Sequence, residues 1–305
     1  MTTNLTKPIS IKLAFAMLVI TVGAEVLLYL TRFSYLAGTL YDAMMVSSFF
    51  VGLKLHKRIS DSERNPVTKR QLMLKFTGAF LVFFLGSTII NIYSSNTFND
   101  FNVNYDQYVQ DYTDLQTNGE DHSNVDKGTK ADHVSTFFEK VDTIGPDLYT
   151  DALAGLEEVW RLAYIIFLLV VCKKIFHKRW ASGSRDLFLM MALFLTSILF
   201  GIDHTLDTAE PWSVKIGAIV TFANMGLVFG LILLWTRSLW ITVLVHSLYD
   251  IFATLSWFYL DNAMELMALA VLVVHVILLF IEKRSLHQLE QAEGVQVAEQ
   301  RDVSV

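Results

Sequence analysis

Cysteine is almost missing from this chain: Cys172 is its single thiol among 305 residues. That excludes a disulfide framework, a thiolate zinc cluster and a CxxC redox pair. Charge is scarce as well, at 18% of residues, and a net charge of −6 leaves no basic surface suited to nucleic acid. No internal repeat is visible, and no GxSxG sequence marks a nucleophile elbow.

What the chain has instead is apolar bulk. Hydrophobic residues make up 53% of it, with 22 Phe, 11 Tyr and 6 Trp, and the mean hydropathy is +0.43. Disordered, collagenous and coiled-coil chains do not carry so many large apolar side chains, whereas membrane proteins do. A helix needs roughly 20 apolar residues to cross the hydrocarbon. About eight such runs are present: Ile11 to Leu30, Tyr35 to Leu53, Leu72 to Tyr93, Leu148 to Val171, Leu187 to Leu206, Val214 to Trp235, Leu239 to Tyr259 and Ala263 to Ile281. Unbroken runs of this length are not the short alternating strands of an outer-membrane barrel. The expected fold is all-α, a polytopic membrane protein with about eight transmembrane helices.

Lys54, Lys57, Arg58, Arg64, Lys69 and Arg70 separate the second and third runs. Lys173, Lys174, Lys178, Arg179 and Arg185 follow the fourth. The positive-inside rule places both stretches in the cytoplasm. Eight crossings put Arg237 and the Lys283–Arg284 pair on the same side, with both termini cytoplasmic. From Asn96 to Thr150 eleven acidic residues face three lysines, a local balance of −8, and parity puts this insert outside. Its aromatic residues, Tyr105, Tyr108, Tyr112, Phe137 and Phe138, allow it either to fold back on the membrane face or to stay partly disordered. Lys7 and Lys12 precede a first run with no small-residue cleavage site, so that run reads as a retained helix. The chain divides into an N-terminal three-helix region (1–95), the acidic loop (96–147), a five-helix core (148–284) and a polar tail (285–305).

A charged group at the bilayer centre costs at least ~2.5–3.5 kcal/mol, so ionisable residues within the runs mark candidate sites. They are Glu25, Asp42, Lys75, Glu157, Glu158, Arg161, His204, His246, Asp250 and His275. In Leu156-Glu157-Glu158-Val159-Trp160-Arg161, either glutamate can pair with Arg161 at helical spacing, leaving the other carboxylate over. His246 and Asp250, at i and i+4, share a face on which the aspartate can orient the imidazole. His204 ends the run Phe200-Gly201-Ile202-Asp203-His204. An excess carboxylate, two histidines and an aspartate on three helices are the parts for activating water and stabilising an oxyanion on a peptide carbonyl. The same groups are also a possible zinc set. Each has a structural alternative: a buried ion pair, a packed histidine, a snorkelling side chain. His275 stands alone on an apolar face and reads as packing, as does the Gly226 and Gly230 pair.

Phe200 to His204 and His246 to Asp250 resemble two motifs, FxxxH and HxxxN or HxxxD, of the CPBP membrane proteases, the CAAX prenyl endopeptidases and bacteriocin-processing or immunity (Abi) proteins. The stretch from Gly226 through Gly230, Arg237, Ser238 and Trp240 to His246 is similar to that family's approach to its last histidine. The resemblance covers roughly Asp147 to Tyr259. The first motif, EExxxR, is matched one residue short, and two registers stand open. In one, Glu157 and Glu158 are the family pair, with Arg161 holding Glu158; in the other, Leu156 replaces the first glutamate and the base is missing.

In the first register the resemblance implies an intramembrane endopeptidase that uses no cofactor and no metal. Glu157, helped by His204, would activate water, and His246 with Asp250 would stabilise the oxyanion. Its partners would be the lipid bilayer and a membrane-associated peptide or protein substrate, either prenylated C-termini or bacteriocin and signal peptides, with no nucleic acid. It would sit in the plasma membrane of a bacterial cell. Two rivals are a noncatalytic immunity or signalling scaffold of the same fold and a proton-coupled transporter using Glu25, Asp42 and His275. His204 reads near the outer end of its helix and His246 in the cytoplasmic half of its own, so a shared site requires tilted or broken helices.

Overall fold

The computed structural model describes residues 2–60, 68–105, 133–206, 208 and 210–302, with the side chains of 133–143 and 286–302 left aside. Tyr108, Tyr112 and Arg64 lie outside the described residues, as do the side chains of Phe137 and Phe138. Among the described residues there are helices and no strands. In chain order they are α1 (Thr2–Leu5), α2 (Ile11–Thr31, with a π-helical stretch at Val19–Gly23), α3 (Tyr35–Ser60), α4 (Lys69–Thr97) and α5 (Asn99–Val103). Then follow α6 (His133–Ala154), α7 (Glu157–Ile175), α8 (His177–Ala181), α9 (Arg185–Asp203), α10 (Trp212–Thr236), α11 (Leu239–Tyr259) and α12 (Ala263–Asp302).

Local chemistry sets several boundaries. Ser10 caps α2 by accepting from the Leu13 amide at 3.3 Å. Thr68 and Gln71 form a reciprocal capping box at the start of α4. Arg237, in the left-handed region at φ 52°, ends α10, and Ser238 caps α11.

Seven helices, α2, α3, α4, α9, α10, α11 and α12, are long and apolar enough to cross a membrane. Their outward faces present large apolar side chains such as Leu85, Ile89, Phe194 and Phe280, the surface expected where lipid is the solvent. The chain is an all-α, multi-pass membrane protein.

The expected fourth segment, Leu148 to Val171, departs from one continuous helix. It breaks at Gly155–Leu156 into the end of α6 and the start of α7. A β-carbon at Gly155 would collide with the Ser247 hydroxyl and the Val243 carbonyl of α11, so the chain approaches that helix where only glycine fits. Ser247 Oγ donates to the Ala152 carbonyl at 2.8 Å across the same contact. Nor does α7 resemble a lipid-facing span: it carries Glu157, Glu158, Arg161, Lys173 and Lys174. It packs against α3, α9 and α11, and a run from Glu158 to Ala163 is buried on every side. A helix surrounded by protein can hold charges that a lipid-exposed one cannot.

Two apolar clusters flank the interior. One joins α1, α2, α3, α7 and α9; the other joins α4, α10, α11 and α12 with Phe200 of α9. The described end of the acidic insert, in α6, runs along α11, where Tyr259 donates to Asp147 Oδ2 at 2.7 Å.

Candidate active site

The break before α7 puts two adjacent glutamates into the interior at a helix start. Glu158 turns away from open space: its Oε2 lies 2.9 Å from Arg161 Nε, and both side chains are fully or almost fully buried. They stand at i and i+3, so they share a helix face despite the shortened motif. The Arg161 guanidinium also lies over the Phe200 ring, 4.3 Å from its centroid. Its Nη1 donates to the Gly226 carbonyl. Gly226 does more than allow close packing of helices: a β-carbon there would stand 2.8 Å from both Arg161 Nη1 and Phe200. The absent side chain is what admits the guanidinium.

His246 of α11 lies between two carboxylates. Its Nδ1 is 3.2 Å from Glu158 Oε1, and its Nε2 is 3.2 Å from Asp250 Oδ2, one turn along the helix. Phe229 stacks on the imidazole with centroids 4.3 Å apart, and Phe83 stacks on Phe229 in turn at 3.7 Å. The ring is thus held at both nitrogens and on a face.

At the end of α9, His204 Nδ1 donates to the Phe200 carbonyl at 2.8 Å. A carbonyl only accepts, so this contact places a proton on Nδ1 and makes Nε2 the accepting nitrogen of the neutral ring. Phe222 stacks on the ring at 4.2 Å.

A cavity of about 540 Å³ connects these groups, within the roughly 300–1,000 Å³ typical of ligand clefts. Glu157, His204, His246 and Asp250 all line it, whereas Glu158 and Arg161 do not. The two histidines, which hydropathy alone puts at different depths, therefore meet one space. Asp42 and Asp151 also reach the cavity; Asp151 lies at the outer edge of the run Leu148 to Val171, next to the acidic insert, and does not stand out there as a site residue.

Behind Glu157 a small polar pocket holds Glu25, Tyr164 and Asp203. Tyr164 donates to Glu25 Oε1 at 3.1 Å, and the Glu25 and Asp203 carboxyl groups face the same pocket. His275 is elsewhere, 2.8 Å from Thr77 Oγ1 between α4 and α12. Among the described residues no group of three or more His, Cys, Asp or Glu is arranged to hold a metal ion.

Residues 157–252, from the start of α7 into α11, match the family described as type II CAAX prenyl endopeptidase Rce1-like. No curated protein and no solved structure matches the chain. The matched stretch supplies Glu157, Glu158, Arg161, His204, His246 and Asp250, while Glu25, Asp42 and Asp151 come from outside it. Over these helices, about a third of its length, the chain is similar to the CAAX-type membrane endopeptidases.

Proposed function

We propose that this protein is an intramembrane endopeptidase that hydrolyses a peptide bond of a membrane-associated peptide or protein with a water activated by Glu157. The observation that carries this reading is the division of labour between neighbours. Glu158 is bound into an ion pair and shut off from the cavity, while Glu157 lines it with His204, His246 and Asp250. A structural ion pair needs one carboxylate, and the second is left where a substrate can reach.

In this mechanism Glu157 takes a proton from water as the oxygen attacks the scissile carbonyl carbon. His204 assists, since its Nε2 is the nitrogen able to accept a hydrogen bond from that water. His246, oriented by Asp250 and Glu158, stabilises the negative charge that forms on the carbonyl oxygen. The C–N bond then breaks, and Glu157 returns its proton to the leaving amine. Arg161 holds Glu158, which in turn positions His246.

The test compares peptide termini by mass spectrometry in membrane and secreted fractions of cells lacking the gene, complemented with wild type or with Glu157→Gln. A terminus that appears with wild type and not with the variant identifies both the activity and its substrate. If the terminome is unchanged while both proteins rescue the deletion phenotype, the noncatalytic scaffold is the correct reading.

A further inference from the structure

The mouth of the cavity and a group of described cations, Arg58, Arg70, Lys173 and Arg185, lie at opposite ends of the bundle. The cavity's wall and mouth are formed by Arg32, Ser34 and Tyr35 in the turn between α2 and α3, Tyr105 after α5, and Trp257 and Phe258 at the end of α11. Tyr105 and Trp257 touch, their ring centroids 5.6 Å apart. The opposite ends of the same helices are drawn together by cations. Arg58, near the end of α3, donates to the carbonyls of Lys7 and Pro8 at 3.0 and 2.9 Å. Lys173, near the end of α7, donates to the Thr6 carbonyl at 3.4 Å, and Arg70 of α4 pairs with Glu282 of α12. Arg185 at the start of α9 reaches Thr3 Oγ1 at 3.4 Å. None of the residues at this basic end lines the cavity.

Lysine and arginine near helix ends are retained on the cytoplasmic side, which also presents anionic lipid to them. Among the described residues, α6 brings two carboxylates to the mouth end: Asp151 lines the cavity, and Asp147 accepts from Tyr259 at the end of α11. Charge at the two ends thus points the same way.

We propose that the cavity opens on the non-cytoplasmic face, and that its substrate is a peptide segment presented from that face: the membrane-proximal part of an anchored or exported polypeptide. This assignment of substrate class rests on the peptidase reading above, but the sidedness stands on charge and geometry alone. A segment confined to the cytoplasm, a prenylated C-terminus there included, would meet the basic end, away from the mouth.

The test replaces Cys172 by serine and introduces Ser34→Cys at the mouth or Lys57→Cys at the basic end; residues 34 and 57 are both exposed. Intact cells are treated with a membrane-impermeant maleimide. Ser34→Cys is expected to label directly, and Lys57→Cys only after permeabilisation. Labelling of Lys57→Cys from outside, or of Ser34→Cys only after permeabilisation, overturns the proposal. A bulky maleimide on Ser34→Cys is then expected to abolish the terminus that distinguishes wild type from Glu157→Gln. Its persistence at full yield overturns the assigned route. If no such terminus exists in any strain, the peptidase reading fails, and the labelling result still decides the sidedness.

Discussion

Arg161 reaches Glu158 at 2.9 Å although the motif that joins them is one residue shorter than the family pattern. The helix explains why: i+3 and i+4 positions fall on one face, so removing a residue moves the guanidinium round the helix without taking it out of reach. The register in which Glu157 and Glu158 form the family pair is the one this geometry favours.

Truncating one partner of a buried ion pair leaves the other charge uncompensated, at a cost of about 3–5 kcal/mol. Arg161→Ala is therefore expected to lower stability by about that amount, read as a large drop in the unfolding midpoint in detergent. Arg161→Lys is expected to recover little of it, because an ammonium cannot bond Glu158 and the Gly226 carbonyl in the same fork. Recovery to wild-type stability with lysine would contradict the assignment.

Gly226→Ala is expected to disturb the same clamp from the other side. Its β-carbon would crowd Arg161 and Phe200, and overpacking of this kind costs about 1–3 kcal/mol. Gly86→Ala makes the control, since its β-carbon would meet Val228 at 3.4 Å, an ordinary contact. Thermal denaturation of the two variants side by side should separate them clearly.

The pocket behind Glu157 gives a smaller expected effect. Tyr164→Phe removes the hydroxyl that donates to Glu25, a loss of about 0.5–1.5 kcal/mol for one hydrogen bond. A double-mutant cycle with Glu25→Gln measures the coupling, and additive effects would show that the contact contributes nothing.

His275→Leu is expected to leave cleavage unchanged and to alter stability by no more than about 1 kcal/mol. Thr77, its partner, keeps a second hydrogen bond to the Met73 carbonyl at 2.9 Å. Loss of cleavage in this variant at unchanged stability, assayed by the same terminus comparison, would contradict the packing role of His275.

Much of this site is legible in the sequence because charge inside apolar runs is conspicuous. Glu157, Glu158, Arg161, His204, His246 and Asp250 stand out for that reason, and their helical spacings anticipate which neighbours can pair. The break at Gly155 does not stand out, because it depends on how closely α6 and α7 approach Val243 and Ser247 of another helix. The role of Gly226 is hidden likewise: a glycine in a membrane helix usually means packing, and nothing local says that an arginine 65 residues earlier in the chain bonds its carbonyl. Asp203 stands beside the more conspicuous His204, and only the fold brings it to one pocket with Glu25 of α2. Depth along each helix was also misleading, since hydropathy windows place ends without giving tilt or breaks.

The most direct test reconstitutes the purified protein in liposomes and measures cleavage of the substrate named by the terminus comparison, for wild type, Glu157→Gln and Glu158→Gln, alongside their unfolding midpoints. General-base catalysis contributes roughly 10²–10⁴-fold to rate. Glu157→Gln is expected to lose at least about 100-fold in activity with an unchanged midpoint, whereas Glu158→Gln, which weakens the clamp on Arg161 and His246, is expected to lower the midpoint as well. Near wild-type cleavage by Glu157→Gln would contradict the assignment of this carboxylate as the group that activates water.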